Sequence, residues 1–202
     1  MSALKSPSRR LVLKRALAAG GLGLAANYAP TVFAQGNIAP TPACHDGDEP
    51  TKPDIEGPFF KPRSPQRGEL VEPGTRGRIF QLEGFVLTRS CRPVTGSILD
   101  LWHADENGDY DDSGFRYRGH LFSDAAGRYS FRTIMPGLYP GRTRHYHLKV
   151  GVPRGRVLTT QLYFPNEPRN ARDDYFSPVL LMRIAGGARE STARFDFILD
   201  IA

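Results

Sequence analysis

The chain has 202 residues, enough for one domain with a substantial core, and its 21 glycines and 17 prolines argue for a turn-rich β-protein rather than a helical bundle. Lys and Arg number 27 against 21 Asp and Glu, a formal +6, but five of the basic residues (Lys5, Arg9, Arg10, Lys14 and Arg15) and no acidic ones fall within residues 1–34. Residues 35–202 carry 22 basic and 21 acidic side chains, a formal +1, so the charge is no footprint of a nucleic-acid partner.

Residues 1–34 have the three-part grammar of an export signal: a basic start, an apolar Ala/Leu/Gly run and a small-residue exit at Val32-Phe33-Ala34. Ser8-Arg9-Arg10, followed by Leu13-Lys14, resembles the twin-arginine pattern, with Val12 where that pattern prefers Phe. The run is short and glycine-rich for a spanning helix, which needs roughly 20 apolar residues. The expectation is a twin-arginine-type signal peptide over 1–34. The protein is then exported, periplasmic or secreted, with no membrane association once the signal is removed. Residues 35–77 are rich in Pro, Gly and charge with little periodicity and read as an extended arm. The two cysteines, Cys44 and Cys91, allow either one disulfide or two separate buried thiols.

From residue 78 the pattern turns β. Predicted strands are 79–87 (an apolar run with an internal Gly), 97–103, 117–123, 128–134, 145–152, 157–164 and 194–201, each bounded by Gly, Pro or Asp. In 97–103 the alternation puts Leu99, Leu101 and His103 on one face and Ile98, Asp100 and Trp102 on the other; in 194–201 it groups Phe195, Phe197, Leu199 and Ile201. The predicted fold is all-β: an antiparallel β-sandwich core over 78–202, with the extended arm and few short helices.

Several polar groups sit oddly among these strands. LWHADENGDY ends the second strand and delivers Tyr110; LYPGRTRHYH delivers Tyr139, His145 and His147. Histidines two apart on a strand share a face, and Tyr146 between them points to the opposite side, for packing. His-x-His alone is more often structural than metal-binding. Two phenols joined to two imidazoles form a donor set that suits a hard, highly charged ion better than zinc, which takes Cys, His or carboxylate. His103 and His120 read as structural. DENGDYDD is not a calcium loop: counting from Asp105, Tyr110 stands at the glycine position and Arg116 at the glutamate position. No G-x-S-x-G signature supports a hydrolase.

DLWHADENGDY (100–110), GRYSFRTIMPGLY (127–139), the R-x-x-H-x-H run from Arg142 to His147, and DIEGPFF (54–60) occur in that arrangement along the chain. Together they resemble the intradiol ring-cleavage dioxygenases of catechol, hydroxyquinol and protocatechuate, over roughly residues 54–164. The resemblance implies a β-sandwich fold and Fe(III) held by Tyr110, Tyr139, His145 and His147. It also implies that Arg142 faces the bound diol, that Gln161 lies near the iron, and that Tyr139 takes part in catalysis. The implied partners are a small aromatic diol and O2, and the implied product is a muconate-type dicarboxylate. A competing reading is a non-catalytic β-sandwich module that binds iron or catechols. Only five residues separate Tyr139 from His145, fewer than in larger members, which implies a more open site for bulky or polymer-derived catechols. Which catechol is cleaved, and whether the protein is an oligomer, the sequence leaves open.

Overall fold

The computed structural model describes Cys44, residues 49–152 and residues 155–201; the expected signal peptide, and residues 35–43 and 45–48 of the arm, lie outside the described residues. Among the described residues nine strands form two sheets. They are β1 (Ile79–Thr88), β2 (Ile98–Trp102), β3 (Arg118–Phe122), β4 (Arg128–Ile134), β5 (His145–Gly151), β6 (Val157–Tyr163), β7 (Arg183–Gly186), β8 (Glu190–Arg194) and β9 (Phe197–Leu199). One sheet runs β4-β1-β8-β7, with β9 also on β1; the other runs β3-β2-β5-β6.

Period-two alternation builds the core. β1 buries every second residue, and Phe80, Leu82 and Val86 face inward with Tyr129 and Phe131 of β4 and Phe197 of β9. Against them pack Leu99 and Leu101 of β2, Tyr146, Leu148 and Val150 of β5, and Leu162 of β6. Each such fully buried apolar side chain contributes roughly 1.5–3 kcal/mol. Tyr146 lies in this core, as its position between the two histidines predicts, with its hydroxyl donating to the Ile134 carbonyl at 2.8 Å.

The arm closes one side of the sandwich. Gln66 bridges to His120 at the edge of β3 and Glu69 bridges to Arg132 of β4, so one stretch of chain caps the edge strand of each sheet. On the far side Leu181 pairs with Tyr163 of β6 just before the chain enters β7. Helical structure among the described residues amounts to two 3-10 turns, Pro168–Arg172 and Pro178–Leu180. None is long and apolar enough to cross a membrane.

Two local expectations change. The single strand expected over 194–201 is broken: β8 ends at Arg194, β9 starts at Phe197, and a further strand, β7, precedes them. The break has a cause in β1, where a Cβ on Gly84 would lie 1.8 Å from the Phe195 carbonyl oxygen, while the Asp196 carboxylate accepts the Phe85 N–H at 2.9 Å. Backbone and side chain of 195–196 thus fold onto β1 where a ladder would otherwise continue. Both β8 and β9 pair with β1 in parallel, the other ladders being antiparallel. The cysteines form a disulfide, Cys44–Cys91, with Cα atoms 5.5 Å apart, which ties the arm to the turn after β1.

Candidate metal centre

The second sheet turns one face to the core and the other outward. On that outer face the register aligns Trp102 of β2, His147 of β5 and Gln161 of β6 in one row, with His145 opposite Tyr163 in the next. Outward-facing residues of a sandwich are ordinarily wet, yet His145 is only 4% and His147 only 2% exposed. The arm accounts for this. Its backbone follows β6, with the Asp54 N–H donating to the Thr159 carbonyl at 2.9 Å, and then passes close over the histidines. A Cβ on Gly57 would lie 3.3 Å from His147 Cε1, so a larger residue there would press on the ring. Trp102 stacks on the same imidazole, with centroids 4.9 Å apart and planes 6° from parallel.

Tyr110 and Tyr139 arrive on two loops that touch backbone to backbone. In the first, the Asp105 carboxylate accepts the N–H groups of Asn107 (2.8 Å) and Asp109 (3.0 Å), the Asx turn that DENGD forms in place of a calcium loop. Gly137 of the second loop donates its N–H to the Asp105 carbonyl at 2.6 Å. A Cβ on Gly137 would stand 2.2 Å from the Gly108 nitrogen, and one on Gly108, whose φ is +98°, would stand 2.5 Å from the Leu138 carbonyl oxygen. Only glycines permit this approach, and it brings the tyrosine rings edge to face at 5.8 Å. Phe59 of the arm stacks flat on Tyr110 at 4.2 Å and edge-on to Tyr139 at 5.4 Å.

Three donor atoms meet. His145 Nε2 lies 3.0 Å from His147 Nε2, His147 Nε2 lies 3.0 Å from Tyr110 Oη, and Tyr110 Oη lies 3.4 Å from His145 Nε2. Adjacent ligands on one ion, at bonds of about 2.1 Å and angles of about 90–110°, are separated by about 3.0–3.4 Å, so the triangle has the size of one face of a coordination shell. Protonation agrees. The His145 Nδ1–H donates to the Thr143 carbonyl at 2.7 Å, which leaves Nε2 as the lone pair. Burial, reinforced by Arg142, lowers His145 to about 4, and burial with the neighbouring His145 and Arg142 pushes His147 well below the usual imidazole range. His147 Nδ1 is buried without a hydrogen-bond partner among the described residues, so no contact commits the proton to Nε2; with both Nε2 atoms as lone pairs 3.0 Å apart, a cation between them would relieve their repulsion. Burial also raises the Tyr110 phenol above its ordinary value, so its proton leaves only in exchange for a strong positive charge. Among the described residues no group of three or more His, Cys, Asp or Glu side chains is placed to hold a metal, so a centre here depends on the phenol. The donor set fits a hard trivalent ion. Tyr139 stands one neighbour out, in ring contact with Tyr110 rather than in the atom-to-atom triangle.

Arg142 and Gln161 are brought together as well. Arg142 Nη2 donates to Gln161 Oε1 at 2.7 Å, and its Nε donates to both carboxylate oxygens of Asp173 at 2.9 and 3.1 Å. Its Nη1 has no hydrogen-bond partner among the described residues. Gln161 in turn donates to the Ile55 carbonyl of the arm at 2.8 Å. Burial opposes ionisation of Asp173. The N–H groups of Thr143 and Tyr175 and the Arg142 guanidinium nevertheless hold its carboxyl below the usual range. Because Asp173 also accepts the Thr143 N–H at 2.8 Å, it fixes the residue whose carbonyl orients His145.

His103 and His120 stay outside this cluster. His103 faces the core, donating from Nδ1 to the Ala104 carbonyl at 2.7 Å and accepting from the Thr133 hydroxyl at 2.6 Å. His120 meets the Ser64 hydroxyl at 3.1 Å. Sequence reasoning did not single out Trp102, Phe59, Gly57, Asp173 or Tyr175 as parts of the site. Trp102 could have been found by carrying the alternation of β2 across to β5. Asp173 and Tyr175 come from an irregular loop that leaves no local signal.

A family profile described as Dioxygenase matches residues 55–200. The chain is 31% identical over 157 residues to a hydroxyquinol 1,2-dioxygenase of Rhodococcus opacus, covering 66% of this chain and 51% of that protein. It is 34% identical over 118 residues to the protocatechuate 3,4-dioxygenase beta chain of Burkholderia cepacia, covering 50% of each. The chain thus spans about half the length of these curated relatives. Among solved structures, the dioxygenase domain of a dioxygenase carbohydrate-binding protein fusion from the cellulolytic bacterium Streptomyces sp. SirexAA-E is 51% identical with a TM-score of 0.74, covering 76% of this chain and 100% of that one. Catechol 1,2-dioxygenase from Pseudomonas arvilla C-1 gives 28% identity and a TM-score of 0.66, over 73% of this chain and 61% of that one. On the matched span, the sequence likeness and the shared fold together, the chain belongs to the intradiol ring-cleavage dioxygenase family.

Proposed function

We propose that this protein is an exported, Fe(III)-dependent intradiol dioxygenase that opens a catechol-type ring between its two hydroxyl-bearing carbons with O2, giving a muconate-type dicarboxylate. The observation that carries the reading is the triangle of half-buried Tyr110 Oη with the buried His145 Nε2 and His147 Nε2, with edges of 3.0–3.4 Å. These three residues would hold the ion, with Tyr139 as a fourth donor. Bound there, Fe(III) would supply the Lewis acidity that makes a catecholate ring reactive toward O2.

The chain's own residues supply the rest. Tyr139, half-buried and in ring contact with Tyr110, would take a proton from an arriving diol once the ion holds it as a ligand. Arg142, its plane held by Asp173 and Gln161, would serve as a fixed cation for negative charge developing on the ring. Phe59, Trp102 and the arm backbone at Gly57 keep bulk water from the histidines. Export by the twin-arginine route is supported by the Ser8–Lys14 pattern, and the Cys44–Cys91 bond suits an oxidising compartment. The short span from Tyr139 to His145 favours bulky catechols, and steady-state rates on a panel of catechols test it; strict preference for the unsubstituted ring refutes it.

Iron analysis and a visible spectrum of the purified protein, followed by O2 uptake with catechol, test the function. Tyrosinate-to-Fe(III) charge transfer gives a coloured protein, and Tyr110→Phe abolishes or shifts the band. Protein that remains colourless and iron-free after reconstitution overturns the assignment. Coloured protein that never consumes O2 with any catechol supports the capture module instead.

A further inference from the structure

Against Arg142 stands an aromatic ring with no part in the proposed chemistry. Tyr175 is 48% exposed, one of few large apolar side chains so open among the described residues. Its backbone is clamped on both sides: the N–H donates to Asp173 Oδ1 at 3.0 Å, and the carbonyl accepts from the Tyr163 hydroxyl at 2.9 Å. The single Tyr163 hydroxyl proton is shared with the Asp54 carboxylate at 2.8 Å and Gln161 Oε1 at 3.2 Å, so the three acceptors crowd around one donor. The ring lies against the Arg142 guanidinium, 4.9 Å from carbon to centroid, and that guanidinium is anchored by Asp173 and Gln161. An exposed tyrosine on a free loop samples several rotamers and offers no defined surface. This one is held by the same hydrogen-bonded network that holds Arg142.

We propose that Tyr175 is a substrate subsite: a shelf on which an uncharged aromatic substituent of the diol stacks while the diol ring lies at Arg142 and the metal centre. The subsite rests on the catechol-cleaving reading of that centre. Two features choose the occupant. Arg142 covers one face of the tyrosine, and the exposure of the ring leaves the rest open to a second ring. Asp173 pairs with the guanidinium at 2.9 Å, so the shelf as a whole is close to neutral and favours a planar apolar group over a carboxylate. The substrate class is therefore an aryl-substituted catechol rather than a carboxylated one.

Anaerobic calorimetric titration of the iron-loaded full chain with catechol, 4-phenylcatechol and protocatechuate tests this without turnover. Wild-type protein binds 4-phenylcatechol more tightly than catechol. In Tyr175→Ala the ratio of these two affinities falls by roughly three- to tenfold, the worth of one aromatic pair. Tyr175→Phe, which keeps the ring, keeps the ratio, and the protocatechuate-to-catechol ratio is the same in all three proteins. No preference for 4-phenylcatechol in wild type, or a preference that survives in Tyr175→Ala, overturns the subsite. Binding of both diols in this titration, with no O2 uptake in a parallel aerobic assay, overturns the ring-cleaving reading and leaves the diol-binding subsite standing. Failure of either diol to bind overturns both.

Discussion

Replacing Gly137 with alanine tests the way the two tyrosines are brought together. The added Cβ would stand 2.2 Å from the Gly108 nitrogen, 2.5 Å from the Asn107 carbonyl carbon and 2.7 Å from the Glu106 carbonyl oxygen. All three are backbone atoms, so no side chain can swing aside. The loops must part by about 1 Å to recover an ordinary contact, and the Gly137-to-Asp105 hydrogen bond of 2.6 Å stretches with them. Overpacking of this kind destabilises by about 1–3 kcal/mol. The larger effect falls on the site, because Tyr110 closes a donor triangle whose edges are 3.0–3.4 Å and tolerate little displacement. A 1 Å misplacement of a reacting group costs on the order of a hundredfold in rate. Iron titration followed at the visible band, O2 uptake with catechol and urea denaturation should all be run on Gly137→Ala. Gly187→Ala serves as the control, since its Cβ meets nothing within 4 Å. If Gly137→Ala takes up iron and turns over within about twofold of wild type, the loop contact does not position the phenols and the reasoning fails.

Other contacts make three more outcomes measurable. Asp173→Asn leaves the Arg142 guanidinium without its charge partner, and is expected to lower stability by about 3 kcal/mol and kcat along with it; unaltered urea midpoint and O2 uptake would count against this. Burial holds His103 at about 4, below the roughly 6.5 of the unfolded chain, so unfolding takes up a proton between those values. Its contribution is complete above pH about 6.5 and is lost as pH falls toward 4, about 3 kcal/mol in all. Denaturation from pH 7.5 to 4.5 should show a shallower slope in His103→Gln than in wild type, and identical slopes refute it. The Cys44–Cys91 bond closes a loop 47 residues apart in sequence, so replacing both cysteines by serine is expected to destabilise by up to about 4 kcal/mol; an unchanged denaturation midpoint would show that the closure is not stabilising.

Much of the architecture was legible from local pattern. Predicted and observed strands agree within a residue or two for β1 to β6, because each is a short run rich in apolar and β-branched residues between Gly, Pro or Asp stops, with burial alternating cleanly in β1 and most of β4. The C-terminal stretch departs from this. Phe195, Phe197, Leu199 and Ile201 alternate as well as any stretch, yet the chain breaks at 195–196, because Gly84 on another strand admits the Phe195 carbonyl. Nothing in residues 194–201 records a glycine more than a hundred positions away.

By itself, then, the sequence determined which side chains share a face: His145 with His147, Trp102 with Asp100, and Tyr146 turned the other way into the core. It also determined that Tyr110 and Tyr139 each follow a strand on a Gly-containing loop; that both belong beside the histidines came only from the family resemblance. Only the tertiary structure decided that this outer face is dry, that Gly137 and Gly108 press the two tyrosine loops together, and that Asp173 and Tyr175 bracket Arg142. The physical reason is that alternation encodes the direction of a side chain but not what covers it. Cover comes from contacts such as Asp54 with Thr159 and Arg142 with Asp173, which depend on how distant segments cross and on no periodicity within either one.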